Sequence, residues 1–203
     1  MELLLTLVSG IAWFIVYIEL IRTGFSQKTY GMPLFALGLN LVWETIYSFD
    51  ALSQGISVQG IVNLIWMMLD VVILVTYFKY GRARFSNDTK KYFIPWSILV
   101  LITCVLIQFA FYFEFHGISA AQYSAFAQNA AMSIMFVIML MQREDTKGQN
   151  LTIATAKWIG TLAPTILMGF LHEINIYIIL MGAICCFFDI LYISLLYRKT
   201  QIS

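Results

Sequence analysis

The chain has 203 residues, of which 61% are hydrophobic and only 11% are charged. Soluble domains carry about 25% charged residues, so this composition excludes a soluble globular protein. The formal net charge is +1, so the charge balance gives no sign of a nucleic-acid partner, and we expect none.

Seven segments are long and apolar enough to cross a membrane, since a crossing helix needs about 20 mostly apolar residues. The first segment lacks a basic leader region and a small-residue cleavage site, so we expect it to be retained as a span. The sequence therefore predicts a single all-α integral membrane domain over 1–203. Its seven predicted transmembrane helices cover 2–22, 33–53, 58–80, 92–114, 119–141, 151–170 and 176–197.

The Lys and Arg residues lie in alternate connections between these spans. We assign Lys157, near the start of the sixth span, to the fifth connection. Because cytoplasmic loops are enriched in Lys and Arg, the pattern predicts an outside N-terminus and an inside C-terminus. The first, third and fifth connections and the C-terminal tail hold all twelve of these residues: Arg22, Lys28, Lys79, Arg82, Arg84, Lys90, Lys91, Arg143, Lys147, Lys157, Arg198 and Lys199.

The directions of the spans allow two parallel triplets joined by the fourth span, a 3+1+3 arrangement. A shift that superposes Asp70 on Asp189 also superposes Lys28 on Lys147. Transporters built from parallel repeats place their site at the repeat interface, near the middle of the membrane. The residues support a true repeat and an unrelated arrangement about equally, so both stay open.

Three carboxyl groups lie near the middle of predicted spans, where a charged side chain costs roughly 3 kcal/mol or more to insert. They belong to Glu44 in the second span, Asp70 in the third and Asp189 in the seventh. Each could simply hydrogen-bond a neighbouring helix, which is the structural alternative to a functional role. That alternative is weakest for Glu44, because its helix face is so polar.

Polar and aromatic residues share a helix face with each of these acids, at spacings of three, four and seven residues. The three stripes are Asn40, Trp43, Glu44 and Tyr47; Asn63, Trp66, Asp70 and Tyr77; and Cys185, Asp189 and Tyr192.

Convergence of the three stripes would form an aromatic pocket with carboxyl groups pointing into it. Burial disfavours the charged form of a carboxyl group, so such an acid can stay protonated and act as a general acid. The faces of neighbouring rings can stabilise a developing cation. This combination suits a reaction that begins with protonation of an alkene or an epoxide.

Metal and retinal chemistry find little support in the sequence. The D-D-x-x-D and H-E-x-x-H motifs are absent, and the seventh span has no Lys for a retinal Schiff base. A weaker alternative is a metal site at the outer ends of the later spans, formed by Glu114, His116, His172 and Glu173. We expect no metal ion and no cofactor.

The run Asn40-Leu-Val-Trp43-Glu44-Thr-Ile-Tyr47 resembles the N-x-x-W-E-x-x-Y stretch of the small integral-membrane terpene cyclases. This family is known from fungal meroterpenoid and indole-diterpene pathways and has bacterial relatives. The stretches 66–70 and 188–192 resemble the family's third-span and seventh-span motifs, so the resemblance covers essentially the whole chain. It implies a metal-independent cyclisation of a prenyl chain. Protonation of a terminal epoxide or alkene starts that reaction, and loss of a proton ends it.

The resemblance also implies roles for individual residues. Glu44 and Asp189 correspond to the two acidic residues that the family needs for cyclisation. We expect Glu44 to be the proton donor or its immediate partner, and Asp189 to be the second essential acid. The expected supporting network is Asp70, Asn40 and Asn63, and the expected substrate and cation pocket is Trp43, Tyr47, Trp66 and Tyr192.

The alternative function is a seven-helix 3+1+3 transporter of sugars or other small solutes, whose mid-membrane acids would couple to protons. The segment Lys28-Thr-Tyr-Gly-Met-Pro33 is similar to the Pro-containing repeats of such carriers, but Thr152 takes the place of Pro33 in the second half. We therefore prefer a terpene cyclase that acts on an isoprenoid or prenylated substrate. Such a protein would lie in a bacterial plasma membrane or the endoplasmic reticulum, and its oligomeric state stays open.

Overall fold

The computed structural model describes residues 1–56, 58–115 and 117–202, and within these ranges the regular structure is entirely helical. The prediction of an all-α protein is confirmed. Two short 3₁₀ turns follow α3, and a π-helical turn, Leu167–Leu171, extends α6. The long helices are α1 (Glu2–Ser26), α2 (Leu34–Ser53), α3 (Val58–Tyr80), α4 (Phe93–Glu114), α5 (Ile118–Gln142), α6 (Leu151–Ile166) and α7 (Ile176–Ile202).

Six of the described helices, all except α2, are long and apolar enough to cross a membrane. Helix α2 has 20 residues, which is sufficient length, but its inward face carries buried polar side chains that include Asn40 and Glu44. Large apolar side chains such as Met68, Leu106 and Phe187 lie exposed on the outside of the bundle. An apolar outer surface around a partly polar interior is what a lipid environment requires.

The helices pack in two groups of three with the same internal arrangement. Helix α3 packs against both α1 and α2, and α7 packs against both α5 and α6. Contacts of α1 with α6 and of α2 with α5 join the two groups. The order α1, α3, α2, α5, α7, α6 therefore closes on itself, while α4 lies against α2 and α5.

The interior of this arrangement mixes apolar and polar side chains. Leu20, Leu37, Met132 and Phe136 belong to one buried apolar cluster, to which six of the helices contribute. The polar residues buried among the helices include Asn40, Glu44, Asp70, Gln108, Gln128, Lys157 and Asp189. Since buried polar groups are costly unless they are paired, their partners locate the candidate site.

Two loops at the predicted inner end meet backbone to backbone. The Gln27 side chain accepts a hydrogen bond from the Gly148 N–H at 2.6 Å, and Arg143 donates to the Tyr30 carbonyl at 2.9 Å. Gly148 has a φ of +79°, and a Cβ there would lie 2.8 Å from the Tyr30 carbonyl oxygen. A Cβ at Gly31 would collide with the Gly148 carbonyl oxygen.

We expect Gly148→Ala to lower the free energy of unfolding in detergent by at least about 1–2 kcal/mol, the cost of a left-handed backbone with a Cβ. The clash with the Tyr30 carbonyl adds to that cost. The matched control is Gly10→Ala, because Gly10 lies within α1 and a Cβ there would meet nothing within 4 Å. The control should be neutral or stabilising, by up to about 1 kcal/mol. Equal thermal stabilities for the two variants would contradict this account of the loop contact.

Candidate active site

Glu44 lies in the second half of α2 and is 2% exposed. The Tyr17 hydroxyl of α1 donates a hydrogen bond to Glu44 Oε1 at 2.7 Å. The side-chain nitrogen of Asn40, one turn earlier on α2, donates to the Tyr17 hydroxyl at 2.7 Å and to Asp70 Oδ2 of α3 at 2.8 Å. Three helices thus bring two carboxyl groups together around one amide.

Two further amides fix the orientation of Asn40. A backbone carbonyl can only accept, so Gln108 must turn its side-chain nitrogen toward the Leu39 carbonyl, at 3.0 Å. The second N–H of that nitrogen donates to Gln128 Oε1 at 2.6 Å, and the Gln128 nitrogen then donates to Asn40 Oδ1 at 3.1 Å. The Asn40 nitrogen consequently faces the acids. We call Tyr17, Asn40, Glu44, Asp70, Gln108 and Gln128 the Glu44 network.

The Glu44 network has no cation among its hydrogen-bond partners in the described residues. Of the twelve Lys and Arg residues, only Arg143 and Lys157 are buried. Arg143 donates to the backbone carbonyls of Tyr30 and Lys147, and Lys157 contacts other helices, as described below. Two carboxyl groups in one buried site without a cation cannot both ionise at low cost.

Each carboxyl group of the network has one uncommitted oxygen. Glu44 Oε2 and Asp70 Oδ1 are buried and have no hydrogen-bond partner in the described part of the chain. Buried polar atoms are almost always paired in folded proteins, so such exceptions call for an explanation, and a catalytic role is one.

One aromatic ring contacts a member of the network, and two others lie close to Glu44 in the sequence. Trp66 of α3 stacks with Tyr17, with ring centroids 6.3 Å apart. On α2 the rings of Trp43 and Tyr47 flank Glu44 in sequence, with centroids 5.0 Å apart. Faces of such rings carry negative potential and stabilise cations.

A cavity of about 330 Å³ lies at the C-terminal end of α2. Tyr47, one turn after Glu44, forms part of its wall, and the Tyr47 side chain is largely buried. The Tyr112 hydroxyl donates to Asp50 Oδ1 at 3.3 Å in the same wall. Small-molecule sites range from roughly 300 to 1,000 Å³, so the volume suits part of a substrate. The remaining lining residues are Gln54, Phe113 and Gly117.

Asp189 of α7 takes part in a separate buried ion pair. Lys157 Nζ of α6 lies 2.8 Å from Asp189 Oδ1, and both side chains are 1% exposed. Lys157 also donates to Ser133 Oγ of α5 at 2.6 Å. Asp189 Oδ2 is buried without a partner in the described residues. We call Ser133, Lys157 and Asp189 the Asp189 group.

The assignment of Lys157 to a connection between spans is wrong. Lys157 lies inside α6, and its charge is tolerated there because Asp189 neutralises it from the neighbouring helix. The signal was present in the sequence, since residue 157 falls within the predicted sixth span. The spacing of residues along α6 could not identify the residue of another helix that pairs with Lys157.

The structure brings some of the predicted site residues together and separates others. Glu44, Asp70 and Asn40 share one network. Asn63 is buried on α3, but it lies about 10 Å along the helix axis from Asp70 and cannot hydrogen-bond that residue directly. No hydrogen bond among the described residues joins the Glu44 network to Asp189, so the predicted single cluster of acids is two groups.

Tyr192 lies with the second group of helices. Its ring packs against Phe136 of α5 with centroids 5.4 Å apart, and its hydroxyl donates to Gln149 Oε1 at 3.1 Å. It is buried one turn after Asp189, as the helix spacing predicts. The site residues that the sequence analysis missed are Tyr17, Gln108, Gln128, Ser133 and Lys157. All are polar side chains inside apolar segments, which was the available signal.

The described residues include no group of three or more His, Cys, Asp or Glu side chains that could hold a metal ion. His116, part of the weaker metal-site alternative, lies outside the described residues. His172 Nε2 lies 3.8 Å from a carboxylate oxygen of Glu2.

Residues 1–201 match the family model of the Pyr4-like transmembrane terpene cyclases. The chain is 29% identical over 161 residues to the Pyr4-family terpene cyclase mfmH of Annulohypoxylon moriforme, with 78% of this chain and 66% of the relative covered. It is 26% identical over 206 residues to the terpene cyclase pyr4 of Aspergillus fumigatus, with 95% and 84% covered.

A third relative is the asnovolin H synthase nvfL of Aspergillus novofumigatus, 24% identical over 170 residues, with 83% of this chain and 70% of the relative covered. No solved structure matches the chain significantly. The matches favour the cyclase hypothesis over the carrier.

Proposed function

Because this chain belongs to the family of Pyr4-like transmembrane terpene cyclases, we propose that it cyclises the prenyl chain of a terpenoid or meroterpenoid substrate. The reaction is started by a proton and needs no metal ion. The single observation that carries the proposal is the Glu44 network. It holds two buried carboxyl groups with uncommitted oxygens, no cation among its hydrogen-bond partners in the described residues, and aromatic rings beside it.

The reaction is a net isomerisation. A carboxyl group gives its proton to the oxygen of a terminal epoxide, whose C–O bond breaks, or to a carbon of a terminal alkene, whose π electrons form the new C–H bond. The resulting cation is attacked by the next double bond of the prenyl chain, and each attack forms a C–C bond. Loss of one proton from the last cation forms a double bond and restores the proton count.

Glu44 is the proton donor or its immediate partner, and Asp70 shares its network through Asn40. Trp43, Tyr47 and Trp66 supply ring faces for the cation. The cavity beside Tyr47 receives part of the substrate. Asp189 is the second essential acid, with Tyr192 on the same face of α7.

The protein is a multi-pass membrane protein, as predicted. The confinement of Lys and Arg to alternate connections supports an outside N-terminus and an inside C-terminus. Because Lys157 is buried within α6, it no longer counts among the Lys and Arg residues of the predicted inner connections. The excess of Lys and Arg stays on the same side without it. The matching packing of α1–α3 and α5–α7 supports two parallel triplets joined by α4.

The test is an assay of the protein in liposomes, with prenylated substrates that end in an epoxide or in an alkene, carried out in D₂O. The product should have the same atoms as the substrate, apart from deuterium. Alkene protonation places one deuterium on carbon, whereas epoxide opening places it on an exchangeable hydroxyl. A chelator should leave the rate unchanged.

Liposomes without protein are the background control. No cyclised product from either substrate would overturn the proposal, as would a rate that falls with the chelator and returns with added divalent metal. Uptake of a small solute by the same liposomes, without any cyclisation, would indicate the carrier instead.

A further inference from the structure

The two acid groups of the bundle differ in charge. In the first triplet, Asp70 of α3 meets a neutral amide, Asn40 of α2, at 2.8 Å. In the second triplet, Asp189 of α7 meets an ammonium group, Lys157 of α6, also at 2.8 Å. The two aspartates occupy comparable places, each on the third helix of its triplet and each paired with the second. Their partners are therefore of different kinds, a neutral amide for Asp70 and an ammonium group for Asp189.

The hydrogen bonds around Lys157 require it to be a donor. The Ser133 hydroxyl directs its own proton to the Asn129 carbonyl oxygen at 3.0 Å, so its oxygen is left to accept from Lys157. Lys157 therefore donates to Ser133, and its 2.8 Å contact with Asp189 Oδ1 has the length of an ammonium–carboxylate hydrogen bond. A carboxylate is the form of Asp189 that neutralises this buried cation.

The polar neighbours of the two acid groups differ in charge among the described residues. Tyr17 of α1 contacts Glu44, Asn40 of α2 contacts Asp70, and Gln128 of α5 contacts Asn40; none of these three carries a positive charge. Around Asp189 the polar or titratable neighbours are Lys157 of α6, Ser133 of α5, and Cys185 and Tyr192 of α7 itself. Lys157 is the cation among them.

We infer that Lys157 gives the two acid groups different roles. It holds Asp189 as a carboxylate, and the Glu44–Asp70 pair is then the source of the initiating proton. Lys157 is a positioning residue, since it acts through Asp189. The proton leaves the Glu44–Asp70 pair for the substrate oxygen or carbon, and the Asp189 carboxylate opposes the positive charge of the cation that forms. This inference rests on the proposed cyclisation and assigns the donor within it.

Infrared spectroscopy tests the protonation states directly, because only a protonated carboxyl group shows a carboxylic C=O stretch. The protein in liposomes near neutral pH should show such a band. Glu44→Gln or Asp70→Asn should remove or shift it, and Asp189→Asn should leave it unchanged. In Lys157→Met an additional band should appear, and the double variant Lys157→Met/Asp189→Asn should lack that addition.

The activity arm of the experiment compares Lys157→Met, Lys157→Arg and the exposed control Lys147→Met in single-turnover cyclisation. Loss of the ammonium group should slow the reaction by about 10²-fold or more, because Asp189 then takes up a proton and the carboxylate charge that stabilises the cationic transition state is lost. Lys157→Arg should recover most of that rate, and Lys147→Met should match the native protein.

A wild-type band that disappears in Asp189→Asn would overturn the inference, since Asp189 would then be protonated. Absence of an additional carboxylic C=O band in Lys157→Met would also overturn the inference. If Lys157→Met does not fold, the spectra of the wild-type, Glu44→Gln and Asp189→Asn proteins still show which carboxyl group is protonated. A protein that shows the expected bands but cyclises nothing would refute the proposed function while leaving the assignment of protonation states intact.

Discussion

The Glu44→Gln variant is expected to cyclise its substrate about 10²–10⁴-fold more slowly than the native protein, the usual contribution of a general acid. Glutamine has nearly the same shape as glutamic acid, and its carbonyl oxygen can still accept the hydrogen bond from Tyr17. The network should therefore persist, and only the transferable proton is lost. The rate is measured as product formed per folded protein, by mass spectrometry of lipid extracts.

The matched control is Glu144→Gln, because Glu144 is an exposed carboxylate in the connection before α6. It should keep the native rate. The thermal stability of Glu44→Gln in detergent should stay close to that of the native protein, or rise, since a buried acid is replaced by a neutral amide. A folded Glu44→Gln protein with the native rate would remove Glu44 from the mechanism.

Asp70→Asn separates two readings of the network. If Asp70 only supported the packing of α3 against α2, its amide should keep the rate, because Asn40 can still donate to an amide oxygen. If the two carboxyl groups share the initiating proton, the rate should fall, though less than for Glu44→Gln. We expect the second result, because the same Asn40 nitrogen donates to both carboxyl groups.

The membrane helices were largely predictable from the sequence, because hydropathy marks where the chain leaves lipid. The predicted third span, 58–80, coincides with α3, and the second differs from α2 by one residue. The larger errors lie at the ends of α1 and α7, which continue to Ser26 and Ile202, and in the predicted sixth span, where α6 ends at Ile166 and a π-helical turn follows to Leu171. Helices α1 and α7 extend past the apolar segment into water, and hydropathy carries no signal for where they stop.

The site was predictable only along single helices. Spacing placed Asn40 and Glu44 on one face of α2, and the structure shows them hydrogen-bonded to each other at 3.2 Å. The partners on other helices, such as Tyr17 and Lys157, depend on how the helices pack. A Lys in an apolar segment has several candidate carboxylates, and only the packing of α6 against α7 selects Asp189.

The pair of Lys157 and Asp189 also allows stability and catalysis to be separated. We expect Lys157→Met alone to lower the free energy of unfolding by about 3–5 kcal/mol, because it leaves Asp189 buried without its counter-charge. The double variant Lys157→Met/Asp189→Leu removes both charges and fills similar volumes. Replacement of a buried ion pair by apolar residues is often neutral or stabilising, by about 1–4 kcal/mol, so the double variant should recover the native stability.

The recovered protein should nevertheless be inactive, because the carboxylate that opposes the cation is gone. Thermal unfolding in detergent and single-turnover cyclisation are measured on the same preparations, with Lys147→Met as the exposed-lysine control. If the double variant regains both stability and activity, the ion pair is only a structural tie between α6 and α7. If it regains stability but not activity, the buried ion pair does not stabilise the fold and is needed for the reaction.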